Sequence, residues 1–204
     1  MKNIKRILPV FVLLLGLLAG CGAAKVPEVI EKSTIAISKE GVVSAFIVDS
    51  FEKDYYDVNG LKAMAQQEAD VYNKQFSLSG KVPVVVKDAA KVSTNPDNVV
   101  LSYEFDTPAT YEAFMESRLY YDTLEVAMKA RLLDTIKVYT LKDQQKKELK
   151  DLLDGKSYHV IIAKEPVTYY CPEKVVYVSE GLVVEEDGSV NATGAVGTIY
   201  IVTK

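Results

Sequence analysis

Two alternating apolar runs flank Glu40-Gly41 in the stretch TIAISKEGVVSAFIVDSF. A period of two on either side of a tight-turn pair predicts a β-hairpin of about 34–39 and 42–50. The period then changes: Leu61, Met64, Ala65, Glu68, Val71, Tyr72 and Phe76 recur at helical spacing with one polar intrusion, predicting an amphipathic helix over about 58–76. Alternation returns in VPVVVKDAAKV and NVVLSYEF, read as a second strand pair joined through Asn95-Pro96-Asp97. In FDTPATYEAF, Thr107 is the expected N-cap and Pro108 the first helical residue, opening a helix that extends as far as Ile136, either continuous or with a break. A shorter helix, about 141–154, is bracketed by Thr140 with Asp143 behind it and by Gly155 at its end.

From Tyr158 onward the pattern is strand-rich. YHVIIAKE, KVVYVSE, LVVEEDGSV and GTIYIV are punctuated by Pro166, Pro172, Glu180-Gly181 and Asp187-Gly188. The sum predicts one α+β domain, 33–204, with a mainly antiparallel sheet and about three helices packed on one face. Segments 34–76 and 82–124 share a layout of strand, turn, strand, aromatic-acid pair (Phe51-Glu52, Phe105-Asp106) and helix, although few residues are identical between them.

The N-terminus follows a different logic. Lys2, Lys5 and Arg6 precede an uncharged run, Ile7 to Gly20, of about 14 residues containing Pro9. At ~1.5 Å per helical residue such a run falls short of a ~30 Å hydrocarbon core, so it reads as a signal-peptide h-region. Leu18, Ala19, Gly20 and Cys21 then resemble the lipobox of bacterial lipoprotein precursors. The resemblance implies that residues 1–20 are a lipoprotein signal peptide, cut away after the Cys21 sulfur receives a diacylglyceryl group. Residues 21–32 would form a lipidated flexible tether. Two or three acyl chains at ~0.8 kcal/mol per buried CH2 make a stable anchor where one does not. The alternative is an ordinary cysteine beside a cleaved secretory signal.

Charge and cysteine count narrow the partners. Without residues 1–20 the chain keeps 21 Lys and Arg against 28 Asp and Glu, a net charge of −7. An acidic surface disfavours nucleic acid and anionic lipid headgroups. The Lys-dense LKDQQKKELKD interleaves Asp143, Glu148 and Asp151, as a solvated helix face does. With Cys21 lipidated, Cys171 is the one remaining thiol, so no intrachain disulfide is expected.

Candidate chemistry is sparse. Asp49, Glu52, Asp54 and Asp57 crowd the entry to the first helix and invite a calcium reading. With Gly60 at the sixth position of an EF-hand loop, however, Tyr55 and Gln66 would occupy its charged ends. Asp57 or Asn59 capping the helix is the simpler reading. His159 and Cys171 would make a catalytic dyad only if a neighbouring strand brought them together. Ser50 to Lys53 spells SxxK without the SDN or KTG partners of penicillin-recognising enzymes. No GxSxG, Walker A, GxGxxG, CxxC or HExxH is present. The doublets Tyr55-Tyr56, Tyr120-Tyr121 and Tyr169-Tyr170 are not platforms in regular structure, because adjacent side chains diverge.

The signal together with ISKEGVVSAFIVDSFEKDYYDVNGLKAM resembles a group of uncharacterised lipoproteins of Gram-positive gut anaerobes, over residues 34–76. It departs at Gly60, where an acidic residue would be expected in the first helical turn. The resemblance implies the outer face of a cell membrane and brings no catalytic residues. The expected function is a non-catalytic, lipid-anchored extracytoplasmic domain that binds a protein or another envelope ligand, with no cofactor. The alternatives are an envelope enzyme using carboxylates or the His159 and Cys171 pair, and a calcium-stabilised module.

Overall fold

A computed structural model describes residues 26–77, 80–133, 136–141, 145–152 and 157–204. The first hairpin, β1 (Thr34–Ile37) and β2 (Val43–Ser50), leads into helix α1 (Val58–Phe76). A second hairpin, β3 (Val84–Val92) and β4 (Asn95–Phe105), leads into α2 (Pro108–Met115), then β5 (Leu119–Thr123) and α3 (Leu124–Lys129). Next come β6 (Lys137–Thr140), β7 (Lys146–Glu148) and a 3-10 turn, Leu149–Leu152. The chain closes with β8 (His159–Ala163), β9 (Thr168–Tyr170), β10 (Val175–Val178), β11 (Val183–Val184), β12 (Val190–Asn191) and β13 (Ile199–Thr203).

The strands divide between two sheets, ordered β11-β12-β9-β1-β2-β4-β3 and β5-β8-β13-β10-β6-β7. Among the described residues every pairing is antiparallel except β1 with β9. The fold is thus an α+β domain dominated by antiparallel sheet. Its layering follows from period-two alternation. Ile161, Ala163, Ile199 and Ile201 of the second sheet face a core shared with the first sheet, α1 and α2. Their neighbours Val160, Ile162 and Val202 face a second core with Leu124 and Ala127 of α3 and Leu149 and Leu152 of the 3-10 turn. Burial on both faces explains why YHVIIA reads as almost continuously apolar. Val175 and Val178, three residues apart, share the first core because the β10–β13 register shifts between Val175 and Tyr177.

The two hairpins meet through their second strands, β2 against β4. The shared layout therefore repeats in space, although α1 has 19 residues and α2 has 8. In the first hairpin Gly41 takes φ +83°, a left-handed conformation open to glycine, and its N–H donates to the Ser38 carbonyl at 3.0 Å. Asp57 caps α1 and Thr107 caps α2 ahead of Pro108, as the sequence predicts.

Strand β3 is a sheet edge, and the chain guards it. The Asn73 side-chain amide on α1 donates to the Val84 carbonyl at 2.7 Å and accepts from the Val84 N–H at 3.0 Å. Lys62 of α1 reaches Asp88 at 2.8 Å, and a register shift falls between Val86 and Asp88. Bulges and charged side chains on an edge discourage pairing with another chain. Asn73→Ala should cost about 1–3 kcal/mol in urea unfolding, because it strands two backbone groups of Val84 near the core. Asn73→Asp should not rescue it, because the carboxylate can accept from the Val84 N–H but sets its second oxygen against the Val84 carbonyl.

Three predicted elements differ. The turn of the second hairpin is Ser93-Thr94, with Val92 opposite Asn95, so Asn95-Pro96-Asp97 belongs to β4. Pro96 lies beyond the last β2–β4 pair, Ser50 with Asn98, and its missing N–H removes no bond to β2. The helix expected to run to Ile136 ends at Met115, where Glu116 turns left-handed at φ 53°. Leu119 to Thr123 then pair with β8, Leu119 and Tyr121 facing one core and Tyr120 the other. Finally, the region read as a helix over 141–154 contributes β7, which pairs with β6, and the 3-10 turn. Asp143 and Gly155, its expected brackets, lie outside the described residues. There the sheet edge offered by β6, together with the burial of Leu149 and Leu152, overrides helical propensity.

Candidate functional site

Helix α1 sits close to its sheet because the residues it turns inward are small. Ala65 and Ala69 are buried, and Leu61 and Tyr72 complete the inward stripe. One step around the helix, a second apolar stripe has no such cover: Met64 is 64% exposed and Val71 61%, and Phe76 at the helix end is 47% exposed. Between this stripe and α2 runs a groove of about 520 Å³, walled by Tyr72 and Phe76 on one side and by Ala113 and Phe114 on the other. The Tyr72 ring meets Phe76 at 4.5 Å and stands edge-on to Phe114 at 5.4 Å, which makes the wall rigid and aromatic. Glu68 is the one charged side chain among the groove's lining residues, and it is exposed with no ion pair among the described residues. The helical pattern in the sequence merges both stripes into one apolar face. The available signal was its width, because 64 and 71 are offset from 65, 69 and 72.

A second hollow lies elsewhere. Pro27 and residues 29–32 line a cleft of about 560 Å³ with Thr34, Tyr170, Asp187 and Asn191. Ile35, Tyr169 and Val190 point from the same strands into the core, so this cleft occupies the face of the first sheet opposite α1 and α2. The groove lies over the β3 end of that sheet, and the cleft over β1, β9 and β12. Tyr170 donates to Asp187 at 3.1 Å, while buried Tyr169 donates to the Glu165 carbonyl at 2.7 Å. The two doublets in strands thus diverge as expected, Tyr120 and Tyr121 likewise entering different cores. Tyr55 and Tyr56 sit in a loop, free of that rule, and their rings meet edge-on at 4.9 Å.

The acidic residues before α1 do not converge on one point. Both carboxylate oxygens of Asp57 accept cap hydrogen bonds, from the N–H groups of Asn59 and Gly60 at 3.0 Å each. Asp49 accepts from the Ser50 N–H at 2.7 Å, and Glu52 and Asp54 are exposed. Among the described residues no three His, Cys, Asp or Glu side chains are gathered as metal ligands.

His159 has a partner, but a different one from Cys171. Its Nδ1 lies 2.8 Å from Glu173 Oε2, its ring stacks on Tyr121 at 5.4 Å, and Thr203 Oγ1 donates to the same carboxylate oxygen at 3.4 Å. No hydrogen bond joins His159 to Cys171. A carboxylate only accepts, so the Nδ1–H is the donor to Glu173, and His159 also borders a small pocket of about 250 Å³ with Tyr121, Asp122 and Thr107. Thr107 is already committed to capping α2. Glu173 was within reach of sequence reasoning, two residues beyond Cys171 across Pro172, but nothing local linked it to His159. Burial pushes the Cys171 thiol up to about 12, the opposite of an activated nucleophile. At neutral pH its alkylation by iodoacetamide should be slower than that of a free cysteine by about 10³-fold, the drop in thiolate fraction, and should accelerate sharply in denaturant. A native rate matching the denatured one would refute this burial.

Cys21 lies outside the described residues, as does the whole of 1–20. No helix among the described residues is long and apolar enough to cross a membrane. In comparisons with protein-family models, curated proteins and solved structures, the chain matches none.

Proposed function

We propose that this chain is a lipoprotein held on the outer face of the cell membrane through lipid on Cys21, and that its domain is a non-catalytic binding module at the cell envelope. The anchor rests on the basic n-region, the short apolar run and the sequence LAGC. The observation that carries the binding reading is the exposed groove of Met64, Val71, Phe76 and Phe114. Monomeric domains seldom leave large apolar side chains contiguous in a concave site without a use for them. The position of the groove is favourable as well. Residues 27 and 29–32 line the opposite sheet face, so a tether leading from there leaves the α1 and α2 face free.

Fractionation of cells expressing Cys21→Ala tests the anchor. The variant should accumulate as uncleaved precursor without lipid, detected by its larger mass and by the absence of incorporated labelled palmitate. Normal processing and normal membrane retention of the variant would refute it.

A further inference from the structure

We propose that the α1–α2 groove receives an amphipathic helix of a partner protein, one that carries a Lys or Arg opposite Glu68. The inference rests on the binding reading above and names its partner class. The exposed stripe Met64, Glu68, Val71, Gln75 follows i, i+4, i+7, i+11, and at ~1.5 Å per residue it offers about three turns of helix for a partner to lie along. Helix-in-groove recognition uses anchors at this spacing. Ala113 on the α2 rim leaves room for close approach, and Phe114 and Tyr72 form an aromatic wall for an aliphatic anchor.

Charge selects among occupants. Glu68 stands in the middle of α1, without an ion pair among the described residues. In a second copy laid antiparallel across the same stripe, Glu68 would face Glu68 near the two-fold axis, and desolvating two like charges disfavours that dimer. The chain's own tether is a poor occupant too, because residues 27 and 29–32 lie on the opposite face of the sheet. A cationic helix from another protein satisfies both the apolar stripe and the acid.

The test uses two fluorescein-labelled 18-residue probe peptides of one design, with leucines at i, i+4, i+7 and i+11, differing in a single residue beside the stripe, Lys or Glu. Fluorescence anisotropy is recorded against the full mature protein in phosphatidylcholine nanodiscs, with empty nanodiscs as the blank. The Lys probe should bind about five- to tenfold more tightly than the Glu probe at low salt, the gap should shrink in high salt, and Glu68→Lys should invert the order. Val71→Asp, an exposed substitution, should abolish binding of both. If binding depends on Val71 but shows no charge preference, the cationic-helix inference is overturned and the groove reading stands. If Val71→Asp changes nothing, both fall. If the wild-type protein alone sediments as a dimer that Val71→Asp dissociates, a second copy is the occupant and the inference is overturned.

Discussion

Phe105→Ala is expected to lower the unfolding free energy by about 3–5 kcal/mol, the range for emptying a large aromatic site in a packed core. Phe105 is fully buried, and its ring centroid lies within 5.2–5.8 Å of Tyr103, Tyr111 and Phe114. It therefore joins β4 to α2 and stands behind the wall of the groove. Its neighbours are fixed by strand and helix backbone, so the cavity cannot collapse cheaply. Urea unfolding measures the loss, and Phe105→Leu should recover more than half of it. A change below about 1 kcal/mol would mean that this cluster is not the packed centre of the fold.

The second large effect is alkaline. Burial holds the Cys171 thiol at about 12 against 9.0, and burial first and then the Glu173 carboxylate hold the Tyr121 hydroxyl at about 12 against 10.0. Tyr111 and Tyr169 are raised in the same direction, again mainly by burial. Each is an acid whose folded pKa exceeds its unfolded value. The stabilisation is fully present below pH 9 and is lost as the unfolded chain ionises while the folded chain does not. The loss begins near pH 9 with Cys171, at about 1.4 kcal/mol per pH unit, and steepens above pH 10 when the tyrosines join. By pH 11 the loss is on the order of 5 kcal/mol, comparable to the whole stability of a small domain. Circular dichroism against pH should therefore show cooperative unfolding between about pH 10 and 12. Cys171→Ala should flatten the slope between pH 9 and 10 in particular. Constant stability up to pH 11 would contradict the burial assigned to these four side chains.

What the sequence conveyed and what it hid follow from the range of the interactions. Helix α1 was readable to its ends because Asp57, the apolar spacing and the end of the pattern at Phe76 are all local. The hairpin around Gly41 was readable for the same reason. Strand β5 was not, because in SRLYYDTLEVAM the helical and alternating patterns overlap, and the choice is made by β8, about 40 residues away in the chain. The parallel β1–β9 pairing joins residues more than 130 apart, beyond the reach of any local pattern. The same non-local geometry decided the site. Met64 and Val71 look like core residues until α1 is seen to bury only the neighbouring stripe, and the partner of His159 is chosen by how β8 and β10 are placed through β13. The anchor runs the other way, since LAGC is visible only as sequence.

The most direct test of the account places a single reactive thiol in the groove of the anchored protein. Val71→Cys, treated on intact cells with a photoreactive maleimide, exploits the inertness expected of the half-buried Cys171, whose thiol is held protonated, and the lipidation proposed for Cys21. The account predicts a light-dependent adduct with another envelope protein, lost when Glu68→Lys is added and absent when the thiol is placed instead at Glu186 on the opposite face. Equal adducts from both positions, or adducts from Glu186 alone, would contradict it.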